Sequence, residues 1–363
     1  MWLNKVKKCL TNLTIFEVLN PSTRMAKHYN VPFLIAEIAQ AHGGSIEKAH
    51  NYIDAIATTG VNAIKFQIHI SEAESSIYEP FRIAMQTQDK TRFDYWKRME
   101  FSLEQWKELK KHCVDVGLEF MASPFSNAAV DILEKIGVKR YKIGSGEVNN
   151  LLLLQKIVTT KKPIILSSGM SSYDELDTTV AFLRKNKTHF SILQCTTSYP
   201  TTPENFGLNV IKELKERYKV PIGFSDHSAK IETGIAAVAL GAEILEFHVI
   251  LNKKETGPDA SSSITISQTK SLVKAVKTIS KALSNPVHKN NNTQFAELKN
   301  IFEKSLAVNK PLQAGHILVF DDLETKKPKG YGMDAFSFKN VLGKKLNKNK
   351  NRWDFLTSED ILD

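Results

Sequence analysis

Apolar and polar positions alternate in blocks along the chain from residue 33 onward. Eight short apolar runs predict strands, and amphipathic stretches such as Ser45–Thr59 and Leu103–Val116 lie between them and predict helices. The apolar runs lack the strict alternation of half-exposed strands, which is typical of parallel strands covered by helices. Eight such units in about 250 residues predict an α/β fold, a closed (β/α)₈ TIM barrel, rather than an open sheet. The predicted strands are Phe33–Ile38, Ala63–Ile68, Leu118–Ala122, Arg140–Ile143, Pro163–Leu166, Phe190–Gln194, Pro221–Phe224 and Glu243–His248.

One segment breaks this alternation between the second strand and its helix. Ser71–Ser102 is long and polar, and it contains aromatic residues such as Tyr95 and Trp96. Loops that follow barrel strands form the active face, so this segment is expected to be either a lid or a surface excursion.

The alternation ends after a helix predicted near Ser267–Leu283. The Asn-rich stretch Ser284–Thr293 is typical of a linker, and short strands separated by turn candidates such as Ala314-Gly315 follow it. Residues 1–30 lack periodicity, so a start at Met25 is an alternative to one at Met1. The predicted organisation is an N-terminal extension (1–30), a catalytic barrel (31–284), a linker (285–302) and a small β-rich domain (303–363).

Composition is that of a globular protein, with 42% hydrophobic and 24% charged residues in 363. The net charge of +10 comes largely from lysines near the C-terminus, and no nucleic-acid-reading motif accompanies them. We therefore expect a solvated surface or attraction of small anions, and no nucleic-acid partner. The three cysteines are far apart and no apolar run is long enough to span a membrane, which predicts a cytoplasmic protein.

Polar residues interrupt the predicted strands near their carboxyl ends, where the active site of such a barrel is found. Lys65 and Lys142 are notable because a buried lysine needs an anionic partner. One such lysine alone favours a structural ion pair, whereas two from different strands, beside serines and glycines, predict a phosphate or carboxylate cradle. The other polar residues at the strand ends are Glu37, Gln67, Ser145, Ser167, Thr197, Tyr199, Ser225 and Glu246.

Two histidines end the last two predicted strands. His227 and His248 are close enough in such a sheet to ligate one divalent cation, although a lone histidine is more often a hydrogen-bonded core residue. His42 and His69 are weaker candidates that follow the first two strands. Asp259, after the eighth strand, is either a turn former or a substrate-binding carboxylate.

Six motifs in this order resemble the sialic acid synthase (N-acetylneuraminate synthase) family. The resemblance extends from about residue 32 to the C-terminus, and the closing unit, which begins at Lys304–Lys310, is similar to the family's antifreeze-like (SAF) domain. The motifs are Ile35–Gly44, Ile64–Gln67, Tyr141–Glu147, Leu166–Met170, Gly223–His227 and Gly257–Asp259.

The resemblance implies a reaction and a role for each matching position. Phosphoenolpyruvate is expected to add to an open-chain N-acetylated hexosamine, which gives a nonulosonic acid and releases phosphate by C–O cleavage. The resemblance also implies a homodimer whose C-terminal domain covers the partner's barrel. By this resemblance, phosphoenolpyruvate is bound by Lys65, Lys142, Ser145, Ser167 and Ser225. A divalent metal, usually manganese with magnesium or cobalt as alternatives, is bound by His227 and His248. The residues that line the sugar and the reacting centre are Glu37, Gln67, Tyr199, Glu246 and Asp259. Within this set, Glu37 is expected to handle a proton or anchor a hydroxyl, and Glu246 to activate water.

The sequence departs from the family at several positions, which leaves the identity of the sugar open. Thr197 replaces an Asn that some members place near phosphoenolpyruvate, and Phe247 replaces a common Arg. Lys327 stands where bacterial members often have an Arg that reaches the sugar, and a lysine lacks the forked donors of arginine. The sugar therefore stays open between N-acetylmannosamine and a diacetamido-trideoxyhexose.

Two other interpretations of the sequence compete with that of a sialic acid synthase. A related synthase of a 3-deoxy-ulosonic acid would act on a phosphorylated aldose and would need further cationic residues at the strand ends. A non-catalytic carbohydrate-binding barrel would have no use for buried charges, which cost several kcal/mol when unpaired.

Overall fold

The computed structural model of the protein describes residues 31–82 and 89–362. The predicted N-terminal extension lies outside the described residues. The chain divides into two compact units, the first ending at Asn285 and the second beginning at Pro286. None of the described helices is long and apolar enough to cross a membrane.

Eight parallel strands of the first unit form a barrel, as predicted. β1 pairs with both β2 and β8, which closes the sheet on that side, and β3 lies beside β4 on the other. Each predicted strand is present with bounds within two residues of the prediction. The strands are β1 (Phe33–Glu37), β2 (Ala63–Ile68), β3 (Glu119–Pro124), β4 (Tyr141–Ile143), β5 (Ile164–Ser167), β6 (Phe190–Cys195), β7 (Ile222–Asp226) and β8 (Ile244–Ile250), and a short β9 (Ser263–Thr265) pairs with β8.

Helices connect these strands and cover the outside of the barrel. Several begin at a side-chain cap, as at Ser102, whose hydroxyl accepts the Gln105 N–H while the Gln105 side chain accepts the Ser102 N–H. Such reciprocal caps stabilise a helix start by about 1 kcal/mol. The helices of this unit are α1 (Ile46–Ala57), α2 (Ser71–Glu74), α3 (Arg92–Met99), α4 (Leu103–Asp115), α5 (Asn127–Ile136), α6 (Leu151–Thr159), α7 (Tyr173–Lys185), α8 (Val210–Tyr218), α9 (Ile231–Ala239) and α10 (Ile266–Leu283).

The barrel interior consists of an apolar layer below a polar one. Because strand side chains alternate, residues two positions apart on a strand face the same side. A polar residue or a cysteine lies two positions after each member of the apolar layer. These residues form the polar layer, which consists of Glu37, Lys65, Ser123, Ser167, Cys195 and Glu246. The apolar layer consists of Ile35, Ala63, Met121, Ile165, Leu193 and Ile244.

The described parts of the segment after β2 contain α2 and α3. Tyr95, Trp96 and Met99 on α3 are buried, and the Trp96 ring stacks on His69 with a centroid separation of 3.7 Å. The segment therefore packs against the end of β2.

The second unit is small and contains two antiparallel ladders, β10 (Ser305–Val308) with β11 (Leu323–Lys326), and β12 (Lys345–Leu346) with β13 (Ile361–Leu362). Its core includes Leu306, Leu318 and Leu356. The range predicted as a linker, 285–302, contains a helix, α11 (Ala296–Phe302), which follows the Asn-rich stretch.

Candidate active site

Two lysines and two glutamates meet in the polar layer of the barrel. The Nζ atom of Lys65 forms an ion pair with Glu37 and lies 3.8 Å from Glu246 Oε1. The Nζ atom of Lys142 lies 3.5 Å from the same oxygen. All four side chains are at least nine-tenths buried, and they come from β2, β1, β8 and β4.

The charges of this cluster are unequally compensated. Burial alone would raise the pKa of Glu246, but Lys142 and Lys65 hold it below its ordinary value. Burial raises the pKa of Glu37 and lowers that of Lys142. Burial thus works against the charges of Lys142 and Glu37, whereas Glu246 stays ionised between the two lysines, and an anionic ligand beside Lys142 would favour its charged form.

Hydroxyl groups surround the lysines. Lys142 Nζ donates a 2.7 Å hydrogen bond to Ser167 Oγ, and Ser225 Oγ donates to Glu246 Oε1 at 3.1 Å. The Gly169 N–H donates to Ser145 Oγ at 3.0 Å. The sequence-predicted serines of the cradle are thus brought together at the ends of β4, β5 and β7.

Gly169 permits a close approach of the backbone to these hydroxyls. A Cβ at this position would lie 2.5 Å from Thr197 Oγ1 and 2.7 Å from Ser145 Oγ. Thr197 therefore belongs to the same group of hydroxyls as Ser145, as the sequence predicts.

The two histidines at the ends of β7 and β8 lie side by side. Their ring centroids are 5.1 Å apart, and each residue is 6% exposed. His227 Nδ1 lies 2.9 Å from the Thr196 carbonyl oxygen, which requires Nδ1–H and leaves Nε2 with its lone pair. Burial, with help from His248, lowers the pKa of His227 to about 3, so its ring is neutral at physiological pH.

The two imidazoles are candidate ligands for a metal ion. A metal-ligating histidine commonly donates its other ring N–H to a carbonyl, as His227 does. Across the residues that the structure describes, no three His, Cys, Asp or Glu side chains form a closed cage. Two imidazoles with open positions are suited to a cation that also binds water or substrate.

Arg82 lies at the rim of the barrel and is not among the site residues predicted from the sequence. Tyr199 stacks on His227 at 4.2 Å, and the Arg82 guanidinium lies 4.3 Å from the Tyr199 ring centroid. Arg82 also pairs with Asp259 at 2.7 Å and donates to the Pro258 carbonyl oxygen at 3.0 Å. No sequence signal distinguishes Arg82, because an arginine in a polar segment is ordinarily solvated.

The remaining candidates differ in their surroundings. Gln67 lies at the end of β2, and its Oε1 contacts His69 Nε2 at 3.1 Å. His42 accepts the Gly44 N–H through Nδ1 at 3.1 Å and packs against Phe101, which gives it a structural role in the first loop. Lys327 belongs to the second unit, where its Nζ lies 5.1 Å from the Phe302 ring centroid.

Parallel strands with an anion cradle and a histidine pair at their carboxyl ends define a (β/α)₈-barrel enzyme. The NeuB family model matches residues 52–288 of the chain. The chain therefore belongs to the NeuB family, which confirms the predicted sialic acid synthase resemblance.

Individual relatives agree with this assignment. The chain is 32% identical over 322 residues to the N,N'-diacetyllegionaminic acid synthase of Campylobacter jejuni, covering 87% of this chain and 96% of that one. It is 33% identical over 320 residues to the human N-acetylneuraminate-9-phosphate synthase, covering 86% and 88% respectively. The N-acetylneuraminic acid synthetase of Leptospira borgpetersenii, crystallised with citrate, has a TM-score of 0.66 and 32% identity over 75% of this chain and 92% of that one.

Membership of this family confirms the predicted class of activity. The chain is a nonulosonic acid synthase, a transferase that condenses phosphoenolpyruvate with an acetamido sugar. The alternative of an inert carbohydrate-binding barrel is therefore set aside.

Proposed function

We propose that the barrel joins phosphoenolpyruvate to an open-chain N-acetylated hexosamine, with Lys65, Lys142 and their serines as the phosphoenolpyruvate site. The observation that supports this assignment most strongly is the burial of two lysines from different strands beside one carboxylate, Glu246. Buried lysines beside hydroxyl groups can bind the phosphate and carboxylate groups of a ligand. Lys142 and Ser167 would contact one end of phosphoenolpyruvate, and Ser145, Thr197 and the Gly169 backbone would surround it.

The proton-handling groups follow from the unpartnered carboxylate oxygens. Glu37 Oε1 and Glu246 Oε2 are buried and have no hydrogen-bond partner among the described residues. Such orphaned oxygens are rare in folded proteins unless a ligand or water meets them. Burial raises the pKa of Glu37, which suits a group that exchanges a proton with the sugar hydroxyl or aldehyde oxygen.

Glu246 is better suited to a fixed charge and an acceptor. The two lysines hold its pKa low, so it stays ionised while it orients their ammonium groups. Its free Oε2 is then available to receive a hydrogen bond from the water that adds to C2 of phosphoenolpyruvate.

His227 and His248 would hold a divalent cation, manganese by the family resemblance, with magnesium or cobalt as alternatives. The neutral ring of His227, oriented by the Thr196 carbonyl, supports this role. The chemistry that such a cation supplies when bound is Lewis-acid polarisation of the sugar aldehyde. Tyr199, stacked on His227, would exclude water from one side of this position.

The sugar would lie against Gln67, Tyr199 and Asp259. These groups are uncharged or paired, because Arg82 neutralises Asp259. They suit hydroxyl and acetamido groups, which leaves N-acetylmannosamine and a diacetamido-trideoxyhexose as the preferred acceptors. The phosphorylated aldose of the alternative reading would need a second cluster of unpaired cations.

We further propose a cytoplasmic homodimer in which the second unit is the antifreeze-like domain and covers the partner's barrel. Lys327 would then take the place of the family's arginine. Exposed apolar residues near Lys327, among them Ile301, Phe302 and Tyr331, support a covered surface there. A dilution series that finds a fully active monomer would remove this part of the proposal.

Phosphate release measured from phosphoenolpyruvate, with and without Mn²⁺, against a panel of acetamido sugars tests the function directly. The expected result is metal-dependent release with at least one unphosphorylated acetamido sugar. No release with any sugar of the panel would overturn the proposal, and release only with a phosphorylated sugar would redirect it to a different acceptor.

A further inference from the structure

A chain of buried polar side chains begins at the end of β2 and ends on α2. Glu74 Oε1 lies 2.5 Å from His69 Nδ1, and His69 Nε2 lies 3.1 Å from Gln67 Oε1. Gln40 donates a further hydrogen bond to the same Gln67 oxygen. The segment after β2 is therefore connected by hydrogen bonds to a residue at the barrel mouth.

The chemistry of these atoms determines where the protons lie. Gln67 Oε1 is only an acceptor, so its 3.1 Å contact with His69 Nε2 is a hydrogen bond when Nε2 bears the hydrogen; Gln40 Nε2, the other polar neighbour of this nitrogen, is farther away at 3.5 Å. In a neutral ring Nδ1 is then an acceptor, so Glu74 Oε1 must be protonated to donate to it. The other oxygen, Glu74 Oε2, accepts the Ile70 N–H at 3.4 Å.

Packing keeps this chain free of charge. The His69 ring lies between Trp96, at 3.7 Å, and Phe125, at 4.4 Å, and both pairs are stacked. Burial lowers the pKa of His69 to about 3 and raises that of Glu74 to about 8, so the proton belongs to Glu74 at neutral pH. The charged and titratable groups that act on the pair are Arg92, Glu79, Glu100, Glu147, Lys65, Asp259 and His42.

The orientation of Gln67 follows from its neighbours. Gln67 is two residues beyond Lys65 on β2 and shares its inward face, whereas Ile64, Phe66 and Ile68 face the outer core. The Gln67 side-chain oxygen accepts hydrogen bonds from two donors, Gln40 and His69. The NH₂ group of Gln67 is therefore available to donate to a ligand.

We propose that Glu74 and His69 are positioning residues that act through Gln67, so that its NH₂ group meets an acceptor oxygen of the sugar. The inference rests on the proposed function and deepens it: the acceptor must offer an oxygen there, such as the carbonyl of its acetamido group. Neither His69 nor Glu74 contacts the reactants. Both residues determine whether the NH₂ group or the oxygen of the Gln67 side chain faces the reactants.

The kinetic test uses two substitutions at one position. Glu74→Gln keeps a donor for His69 Nδ1, so the KM for the sugar should stay within about twofold of wild type, because the hydrogen bond is retained. Glu74→Leu removes the donor, so this KM should rise about fivefold to tenfold, the effect of one lost hydrogen bond, while the KM for phosphoenolpyruvate stays constant. A loss with Glu74→Gln equal to that with Glu74→Leu would overturn the proposal.

A pH profile adds a second readout. Above about pH 8, Glu74 becomes a carboxylate that repels the bare Nδ1 of His69. His69 must then move its proton to Nδ1 and release Gln67, so the wild-type KM for the sugar should rise, whereas that of Glu74→Gln should not. Identical profiles for the two enzymes would contradict the proposal.

Control variants and a spectroscopic measurement separate this inference from the proposed function. Glu72 is an exposed residue of the same helix and pairs with Lys97. The control variants Glu72→Gln and Glu72→Leu should therefore behave as wild type. In ¹⁵N-histidine-labelled full-length protein, with His69→Gln to assign the signal, the His69 ring should be neutral and protonated at Nε2. A cationic or Nδ1-protonated ring at neutral pH would overturn the proposal, even if no sugar of the panel were turned over or Glu74→Leu failed to fold.

Discussion

The guanidinium of Arg82 lies 2.7 Å from the Asp259 carboxylate, so the segment after β2 is joined to the loop after β8 by an ion pair. Arg82 also covers the outer face of Tyr199, whose other neighbour is His227. Three loops of the barrel thus meet at one point of the rim, directly beside the proposed sugar position.

Replacement of Arg82 by Gln should raise the KM for the sugar about threefold to tenfold and leave the KM for phosphoenolpyruvate unchanged. The reason is that Asp259 and Tyr199 lose the contact that orients them, while a half-exposed ion pair is worth only about 1 kcal/mol or less to stability. Steady-state kinetics with each substrate varied in turn measures this.

Arg217→Gln is the matched control. Arg217 also pairs with an aspartate, Asp177, and lies 4.6 Å from an aromatic ring centroid, that of Tyr173, but on the outer helices. It should leave both KM values unchanged. An equal change in the KM for the sugar with both substitutions would show that Arg82 has no specific role in the sugar site.

Gly169→Ala should lower kcat/KM for phosphoenolpyruvate by at least about tenfold, because the added methyl group displaces two hydroxyls of the cradle. Gly146→Ala is the control, since its Cβ would meet only the Met170 methyl group at an ordinary 3.7 Å. Kinetics and thermal unfolding of both variants check this. Loss of activity in Gly146→Ala but not in Gly169→Ala would contradict the placement of phosphoenolpyruvate.

The barrel was predictable because its strands are marked by short, mostly apolar runs. A polar residue within such a run, such as Lys142 in β4, has few places to go except the interior, and parallel strands bring those residues to one level. That rule places the two lysines and the two histidines at the same end of the barrel, whereas their assigned roles also rest on the family resemblance.

Other parts of the molecule depend on contacts that no periodic pattern records. Arg82 acquires its position through Asp259, which is 177 residues away in the chain. The role of His69 depends on the rings of Trp96 and Phe125, which arrive from two different segments. Helix α11 follows the Asn-rich stretch, and its seven residues are too few for a clear helical period.

Lys142→Met should weaken phosphoenolpyruvate binding by at least about 100-fold, because the less compensated of the two buried cations is removed. Glu246 keeps Lys65 and Ser225 as partners, so the fold should survive. Binding measured by calorimetry without sugar reports the loss, and the exposed Lys139→Met serves as the control. Unchanged affinity in Lys142→Met would place phosphoenolpyruvate elsewhere.

Removal of divalent metal with a chelator should abolish phosphate release, and added Mn²⁺ should restore it in the wild type. His227→Gln should bind less metal and lose at least about 100-fold in activity, because a ligand and its Lewis-acid chemistry are lost together. The glutamine NH₂ group can still donate to the Thr196 carbonyl, so unfolding is not expected to account for the loss. Metal content after dialysis against Mn²⁺ is the decisive measurement, with the exposed His288→Gln as the control. If His227→Gln and His288→Gln retain the same metal content as wild type, the histidine pair is not the metal site.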